Sequence, residues 1–373
     1  MYDLTFDPKK YEIKTCELGN RSITYRAFEH IVYCANPASK IQTLNIYVPE
    51  EYYSGKTING YSLNTAPIFA PNTVGGYMEG PAMEVGMDRF NHKPNSAFEA
   101  LLHGYVVMCA GIRGRNTGMQ SKEFFVGGTG KENTGNQEKR SGRAPAFIVD
   151  MKAAIRYMRH NAKTVPGDVE KIITNGTSAG GALSALAGAT GNAKEYEYYL
   201  KAIGAAEERD DIFAASCYCP IHNLEHADAA YEWLFQKEPI FHMMKFEMSP
   251  KGPKMIPVVG ELSEKQKKLS VELKAEFPAY VNSLGLRDDN GTELTLEENG
   301  EGTFKDYVMS FVSASAKKEK ETHDSSVRLS DLAVPGSDID EQEYITFEGN
   351  QVEKFDTDAY VKKITRMKPT PAF

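Results

Sequence analysis

One stretch constrains the fold of this chain more than any other: Ile172-Ile173-Thr174-Asn175-Gly176-Thr177-Ser178-Ala179-Gly180-Gly181. A short apolar run meets Gly-x-Ser-x-Gly and then small residues. That order reads as a strand, a sharp turn on one serine, and a helix. A serine on so tight a turn sits in a strained backbone conformation. A side chain two positions to either side would collide with the packed strand or helix, so glycine is required there. Such a turn lifts the Ser178 hydroxyl above a sheet. It also aims the free N–H groups of the helix starting at Ala179 at a developing oxyanion. The elbow therefore points to a nucleophilic serine, with the Ala179 amide as one oxyanion donor.

The flanking segments read as the rest of a parallel α/β layer. Glu12 to Leu18, Ser22 to Cys34 and Ile41 to Val48 are strand-like and form an antiparallel start. Ala66-Pro67-Ile68-Phe69-Ala70 is a short buried strand that runs into Pro71-Asn72-Thr73-Val74-Gly75-Gly76-Tyr77. A Gly-Gly loop after an early strand is where a hydrolase of this kind places its second oxyanion donor, which selects the Gly76 N–H. His103 to Ala110 reads as the next strand, buried on both faces by its continuous apolar run. Pro145 opens a helix to about Asn161, with Ile148, Met151, Ile155 and Met158 as one apolar stripe. Ile212 to Cys219 reads as another buried strand. Strand, helix, strand, elbow and helix in succession make a parallel α/β unit.

From about Lys237 the composition shifts to Lys and Glu and the strand rhythm stops. Ser263-Glu264-Lys265-Gln266 is a capping box for a charged helix to about Val281, and Thr303 caps another. This gives a core over 1–235, a large and mainly helical lid over 236–363, and the start of a return to the core over 364–373.

Several function classes recede. A net charge of −8 and a pI near 5.6 leave no basic face for nucleic acid. No apolar run approaches a membrane span, and the first residues have no basic and apolar signal pattern. The five cysteines are odd in number and scattered, which fits reduced thiols and a cytoplasmic protein. Gly127-Gly128-Thr129-Gly130-Lys131 resembles a phosphate loop on letters. It fails because Phe125 stands where the first glycine belongs and Glu132 where Ser or Thr must be. His222-Asn223-Leu224-Glu225-His226 matches an inverted zinc-peptidase motif, yet it follows Pro220 at a strand end, so its first half reads as loop. No metal or other cofactor is expected.

A serine hydroxyl needs a histidine to take its proton and a carboxylate to orient that histidine. In this fold both follow the serine, on loops after later strands. The later histidines are His222, His226, His242 and His323, and none follows a core strand. His323 beside Asp324 is the weaker alternative. The expectation is that acid, base and last strands lie beyond Phe373.

Asn72 to Tyr77, Ala110 to Arg115, Ala144 to Tyr157, Ile172 to Gly181, Cys219 to Trp233, Thr365 to Lys368 and, more faintly, Leu4 to Asp7 together resemble the bacterial tannases of the intracellular type. The resemblance implies an α/β-hydrolase fold with a large lid, acting on small aromatic esters: galloyl esters and depsides cleaved to gallic acid. By position it makes Ser178 the nucleophile and Gly76 and Ala179 the oxyanion donors. It places Ile221 against the galloyl ring and Lys368 on the phenolic hydroxyls. It also implies that about a quarter of the family's length, carrying the triad acid and histidine, is not in this chain. A feruloyl or general carboxylesterase, or an inactive remnant, are the alternatives.

Overall fold

The computed structural model describes residues 1–88, 92–118, 140–249, 252–322, 344–349 and 351–372. The phosphate-loop look-alike at 127–131, His323 and Asp324 lie outside the described residues. The described residues divide into two compact units, one ending at His222 and one starting at Asn223.

The first unit is built on a seven-stranded sheet. Three antiparallel strands open it: β1 (Glu12–Leu18), β2 (Arg21–Val32) and β3 (Thr43–Pro49). β4 (Pro67–Pro71), β5 (Val106–Ala110), β6 (Asp168–Thr177) and β7 (Ala214–Tyr218) follow, in the sheet order β1-β2-β3-β5-β4-β6-β7. β3 meets β5 antiparallel, and β5, β4, β6 and β7 run parallel. Helices cover both faces. α1 (Ser96–Leu102) lies on one, and α2 (Ala146–His160) and α3 (Ala179–Ala189) on the other; α4 (Glu197–Ala202) packs near α2.

The pleat decides which side chain meets which helix layer. Val106, Met108 and Ala110 join the core under α2 and α3, while Val107 and Cys109 join the core under α1. This period of two is what a strand sandwiched between helices requires. The resulting mostly parallel sheet flanked by helices is the expected α/β-hydrolase architecture.

Two expectations need correction. The apolar run from Ile212 to Cys219 implies a buried β7, but Phe213 is 65% and Tyr218 59% exposed. Among the described residues β7 pairs only with β6, so it is the sheet's margin and one of its edges faces no strand. The α2 stripe is also too narrow a reading. Asp150, Lys152, Arg156 and Arg159 are buried along with Ile148, Met151, Ile155 and Met158. The polar face is buried because it is ion-paired: Lys152 and Arg156 both reach Asp210, and Arg113 reaches Asp150.

The second unit begins with α5 (Leu224–Phe235) and continues through a hairpin, β8 (Ile240–Ser249) and β9 (Gly252–Glu261). Then come α6 (Glu264–Ser283), α7 (Thr303–Thr322), a short hairpin of β10 (Ile345–Glu348) and β11 (Gln351–Phe355), and α8 (Thr357–Ile364). The division falls after His222, ahead of Gln236. α5 sides with the second unit because Ala229 buries against Phe277, Val281 and Leu296, with Trp233 beside them. The capping box at Ser263 is present, with Ser263 and Gln266 bonding reciprocally. Helices dominate this unit as expected, whereas its two hairpins were not foreseen.

Candidate active site

β6 ends at Thr177 and α3 starts at Ala179, so Ser178 alone makes the turn. Its backbone sits at φ 86° and ψ −109°, which an L residue adopts only at a cost of about 1–3 kcal/mol. The neighbours hold it there. Its N–H donates to the Tyr218 carbonyl at 3.0 Å, and its own carbonyl accepts from Ala182 at 2.9 Å and Ile221 at 3.3 Å. Ser178 itself is half-buried, while Ala179 and Gly180 behind it are buried.

The glycines of the elbow are steric necessities. A Cβ on Gly176 would lie 2.4 Å from the Gly180 carbonyl carbon. One on Gly180 would meet Asn72 Oδ1 at 2.4 Å and the Val74 carbonyl oxygen at 2.7 Å, and one on Gly181 would meet the Tyr218 carbonyl oxygen at 2.5 Å. Strand and helix thus pass at backbone contact, which points the first N–H groups of α3 past the serine.

The Gly75-Gly76 loop leaves the end of β4. The Met78 N–H returns to the Gly75 carbonyl at 3.0 Å, and Gly76 and Tyr77 both have positive φ, at 56° and 57°. This is the sign pattern of a type I′ turn, whose two central positions both need positive φ and favour Gly, Asn or Asp. Gly76 is exposed, with open space around the position of a Cβ. Its requirement for glycine is conformational only.

Three of the anticipated residues are linked through Ile221. Its N–H reaches the Ser178 carbonyl, and its carbonyl accepts the hydroxyl proton of Tyr77, the residue after Gly76. Burial pushes the Tyr77 phenol above its ordinary value. Ile221 is 37% exposed. Elbow, Gly-Gly loop and Ile221 are therefore one hydrogen-bonded assembly within the first unit. Sequence reasoning missed Tyr77 as its tie, since a tyrosine after two glycines carries no pattern of its own.

Lys368 belongs to the second unit. Its N–H donates to the Tyr231 hydroxyl at 3.1 Å, and its carbonyl accepts from Arg366 at 3.2 Å. Arg366 is fully buried and paired with Glu232. The backbone at Lys368 is thus fixed by α5.

Among the described residues, no histidine hydrogen-bonds the Ser178 hydroxyl. His222 Nδ1 lies 3.2 Å from the Pro220 carbonyl oxygen, and His226 stacks on Tyr280 at 3.7 Å between ring centroids. α5 starts at Leu224, so His222 precedes it and the two histidines do not share a helix. Among the described residues there is no group of three His, Cys, Asp or Glu able to hold a metal ion, and no helix is long and apolar enough to cross a membrane.

Residues 135–230 match the BD-FAE family model, an α/β-hydrolase family. The tannase of Lactobacillus plantarum superposes with a TM-score of 0.79 at 44% identity, covering 100% of this chain and 74% of that one. The Fusobacterium nucleatum tannase gives the same four values. A tannin acyl hydrolase in complex with ethyl gallate superposes with a TM-score of 0.76 at 43% identity, covering 99% of this chain and 73% of its own. Among curated sequences, esterase LipC of Mycobacterium tuberculosis is 47% identical over 58 residues, 16% of this chain and 14% of that protein's length.

Proposed function

The chain belongs to the tannase family, a family of carboxylic ester hydrolases, and from that premise we propose that it cleaves galloyl esters and depsides to gallic acid through an acyl-enzyme on Ser178. The observation that carries the reading is the backbone of Ser178, held at φ 86° between a strand and a helix N-terminus. A serine held in a strained turn between Gly176 and Gly180 stands where a strand hands over to a helix. It presents a hydroxyl.

In this reading Ser178 Oγ attacks the ester carbonyl carbon and its proton passes to a general base. The carbonyl oxygen becomes an oxyanion, bound by the N–H groups of Gly76 and Ala179. Collapse expels the alkoxide, which takes the proton back from the base and leaves as the alcohol, leaving a galloyl-serine ester. Water, deprotonated by the same base, then attacks that ester, and Ser178 leaves with the returned proton as gallic acid is released. The base and its carboxylate are assigned to no described residue. Ile221 packs on the galloyl ring. Support for an aromatic acid comes from the relatives solved with ethyl gallate and with 3,4-dihydroxybenzoate. The LipC match favours a second reading, a carboxylesterase without preference for gallate.

Hydrolysis of methyl gallate, methyl ferulate and 4-nitrophenyl acetate separates the two. Gallate release at a kcat/KM at least tenfold above the other esters, abolished in Ser178→Ala, is the expected result. Equal rates on all three esters support the second reading. A Ser178→Ala variant with unchanged rate ends both.

A further inference from the structure

We propose that the buried Asp150–Arg113 pair is a positioning device for the oxyanion loop, fixing where the Gly76 N–H points; this rests on the assignment of Gly76 as a donor. Asp150 lies on α2 and is fully buried, and Arg113 lies just past β5 and is 5% exposed. Among the described residues neither is hydrogen-bonded to Ser178 or to the Gly75-Gly76 turn. Yet Asp150 gathers the whole segment. Its oxygens accept the Arg113 backbone N–H at 2.8 Å, Nε at 2.9 and 3.1 Å and Nη2 at 2.7 Å, and Gln42 Nε2 at 2.8 Å.

The segment so held is the bed on which the oxyanion loop lies. Gly80 and Ile112 exchange backbone hydrogen bonds at 2.9 and 2.8 Å. The Arg115 N–H reaches the Tyr77 carbonyl at 2.8 Å, and the Glu79 N–H reaches Asn116 Oδ1 at 2.7 Å. Thr117 Oγ1 donates to Glu79 at 2.9 Å and accepts the Gly114 N–H at 2.9 Å. Gly114 leaves no slack, because a Cβ there would lie 2.1 Å from the Met78 carbonyl carbon. The Tyr77 ring closes the circuit edge-on to Phe147 of α2, at 5.6 Å.

A buried ion pair of this kind is weak evidence for stability, since desolvation offsets much of its attraction. Its value here is geometric. The carboxylate accepts both the backbone and the fork of Arg113, so the segment has one place to sit. An oxyanion donor is effective only at about 2.7–3.1 Å from the developing charge, and a displacement of about 1 Å costs on the order of 10²-fold in rate.

The test compares Asp150→Asn, Arg113→Lys and Thr117→Val. It measures kcat and KM on methyl gallate and 4-nitrophenyl acetate, amide hydrogen exchange over residues 74–80, and melting temperature. A positioning role predicts kcat lower by roughly 10- to 100-fold in Asp150→Asn on both esters alike, with KM within about twofold, because every ester forms the same oxyanion. Thr117→Val follows with a smaller fall, and exchange at Gly80 quickens in both. A lower melting temperature with unchanged kcat and unchanged exchange overturns the proposal, as does a loss confined to the gallate ester. If Asp150→Asn does not fold, Arg113→Lys and Thr117→Val decide by the same readings. If the wild type cleaves neither ester, the functional reading falls on its own. Exchange over 74–80 then still upholds or sinks the coupling.

Discussion

Asn72 Nδ2 stands 3.0 Å from the carbonyl oxygen of Gly180, so a side chain at the end of β4 holds the first turn of the helix behind Ser178. The same nitrogen lies 2.8 Å from the Asn175 carbonyl oxygen and 3.1 Å from Ser184 Oγ. Its partner oxygen accepts the Val74 N–H at 3.2 Å, two residues before Gly76. One buried amide therefore bonds to both flanks of the elbow and to the start of the oxyanion loop.

This geometry makes the identity of the Asn72 end groups decisive. Asn72→Ala removes the donors and leaves buried carbonyls short of a partner, at a cost of about 2 kcal/mol. Asn72→Asp keeps size and shape but turns an acceptor toward the Asn175 and Gly180 carbonyl oxygens. It is expected to be the more destabilising of the two, despite being the smaller change in volume. Urea denaturation of both variants at neutral pH checks the order. The reverse order removes the latch from the account.

The glycines of α3 give a paired prediction within one helix. Gly180→Ala drives a Cβ into Asn72 and Val74, so it is expected to unfold or markedly destabilise the first unit. Gly188→Ala meets only the Ala215 and Ile212 side chains, at 3.6 and 3.8 Å, ordinary packing distances. In a helix, alanine there is worth about 0.5–1 kcal/mol over glycine, so melting temperature rises. Equal effects from the two substitutions contradict the close approach of α3 to β4 and the Asn72–Val74 segment.

Much of the core was readable because its signals are local. The Gly176–Ser178–Gly180 spacing, the double apolar run of β5 and the Ser263 capping box each arise from backbone geometry that only certain residues tolerate. What escaped was set by distant partners. The burial of Asp150, Lys152 and Arg156 depends on Arg113 and Asp210, some 40 to 60 residues away, so a helix that looks amphipathic is buried nearly all round. The β8–β9 hairpin was hidden by composition. His242 to Met248 contains no β-branched residue, and β9 carries Pro253 and Pro257, which a two-stranded ribbon tolerates on its unpaired side. The apolar run of β7 does not carry its position at the margin of the sheet, where side chains meet solvent.

Alkaline pH should destabilise the first unit through its tyrosines. Burial pushes the phenols of Tyr25, Tyr52 and Tyr53 up to about 12, with smaller contributions from nearby charges. An unfolded tyrosine ionises near 10. Between about pH 10 and 12 the unfolded chain releases protons that the folded one retains, so stability falls as pH rises through that window and is intact below it. Absorbance at 295 nm followed against pH is expected to show a late, cooperative group of tyrosines that titrates together with loss of circular dichroism. Smooth titration of all tyrosines near pH 10 with the fold intact sinks this expectation.

The second unit offers a test of a different kind of pair. Glu232 and Arg366 are both fully buried, and Thr370 Oγ1 at 2.7 Å and Ser270 Oγ complete the carboxylate's partners. Glu232→Gln weakens one arm, but Glu232→Ala strands a guanidinium without its counter-charge. The cost of the latter is expected at about 3–5 kcal/mol. The double replacement Glu232→Leu with Arg366→Met leaves no charge behind, so it should be less damaging than Glu232→Ala alone. The chain's single tryptophan makes this measurable. Trp233 follows Glu232 on α5, donates to the Gly300 carbonyl at 2.9 Å and packs at 5.2 Å from Phe277. Its emission therefore reports the second unit, and urea titrations of the three variants give the order directly. A double variant as unstable as Glu232→Ala would mean that the site needs these two side chains for their shape, and that charge compensation is not what holds the Arg366–Thr370 segment against α5.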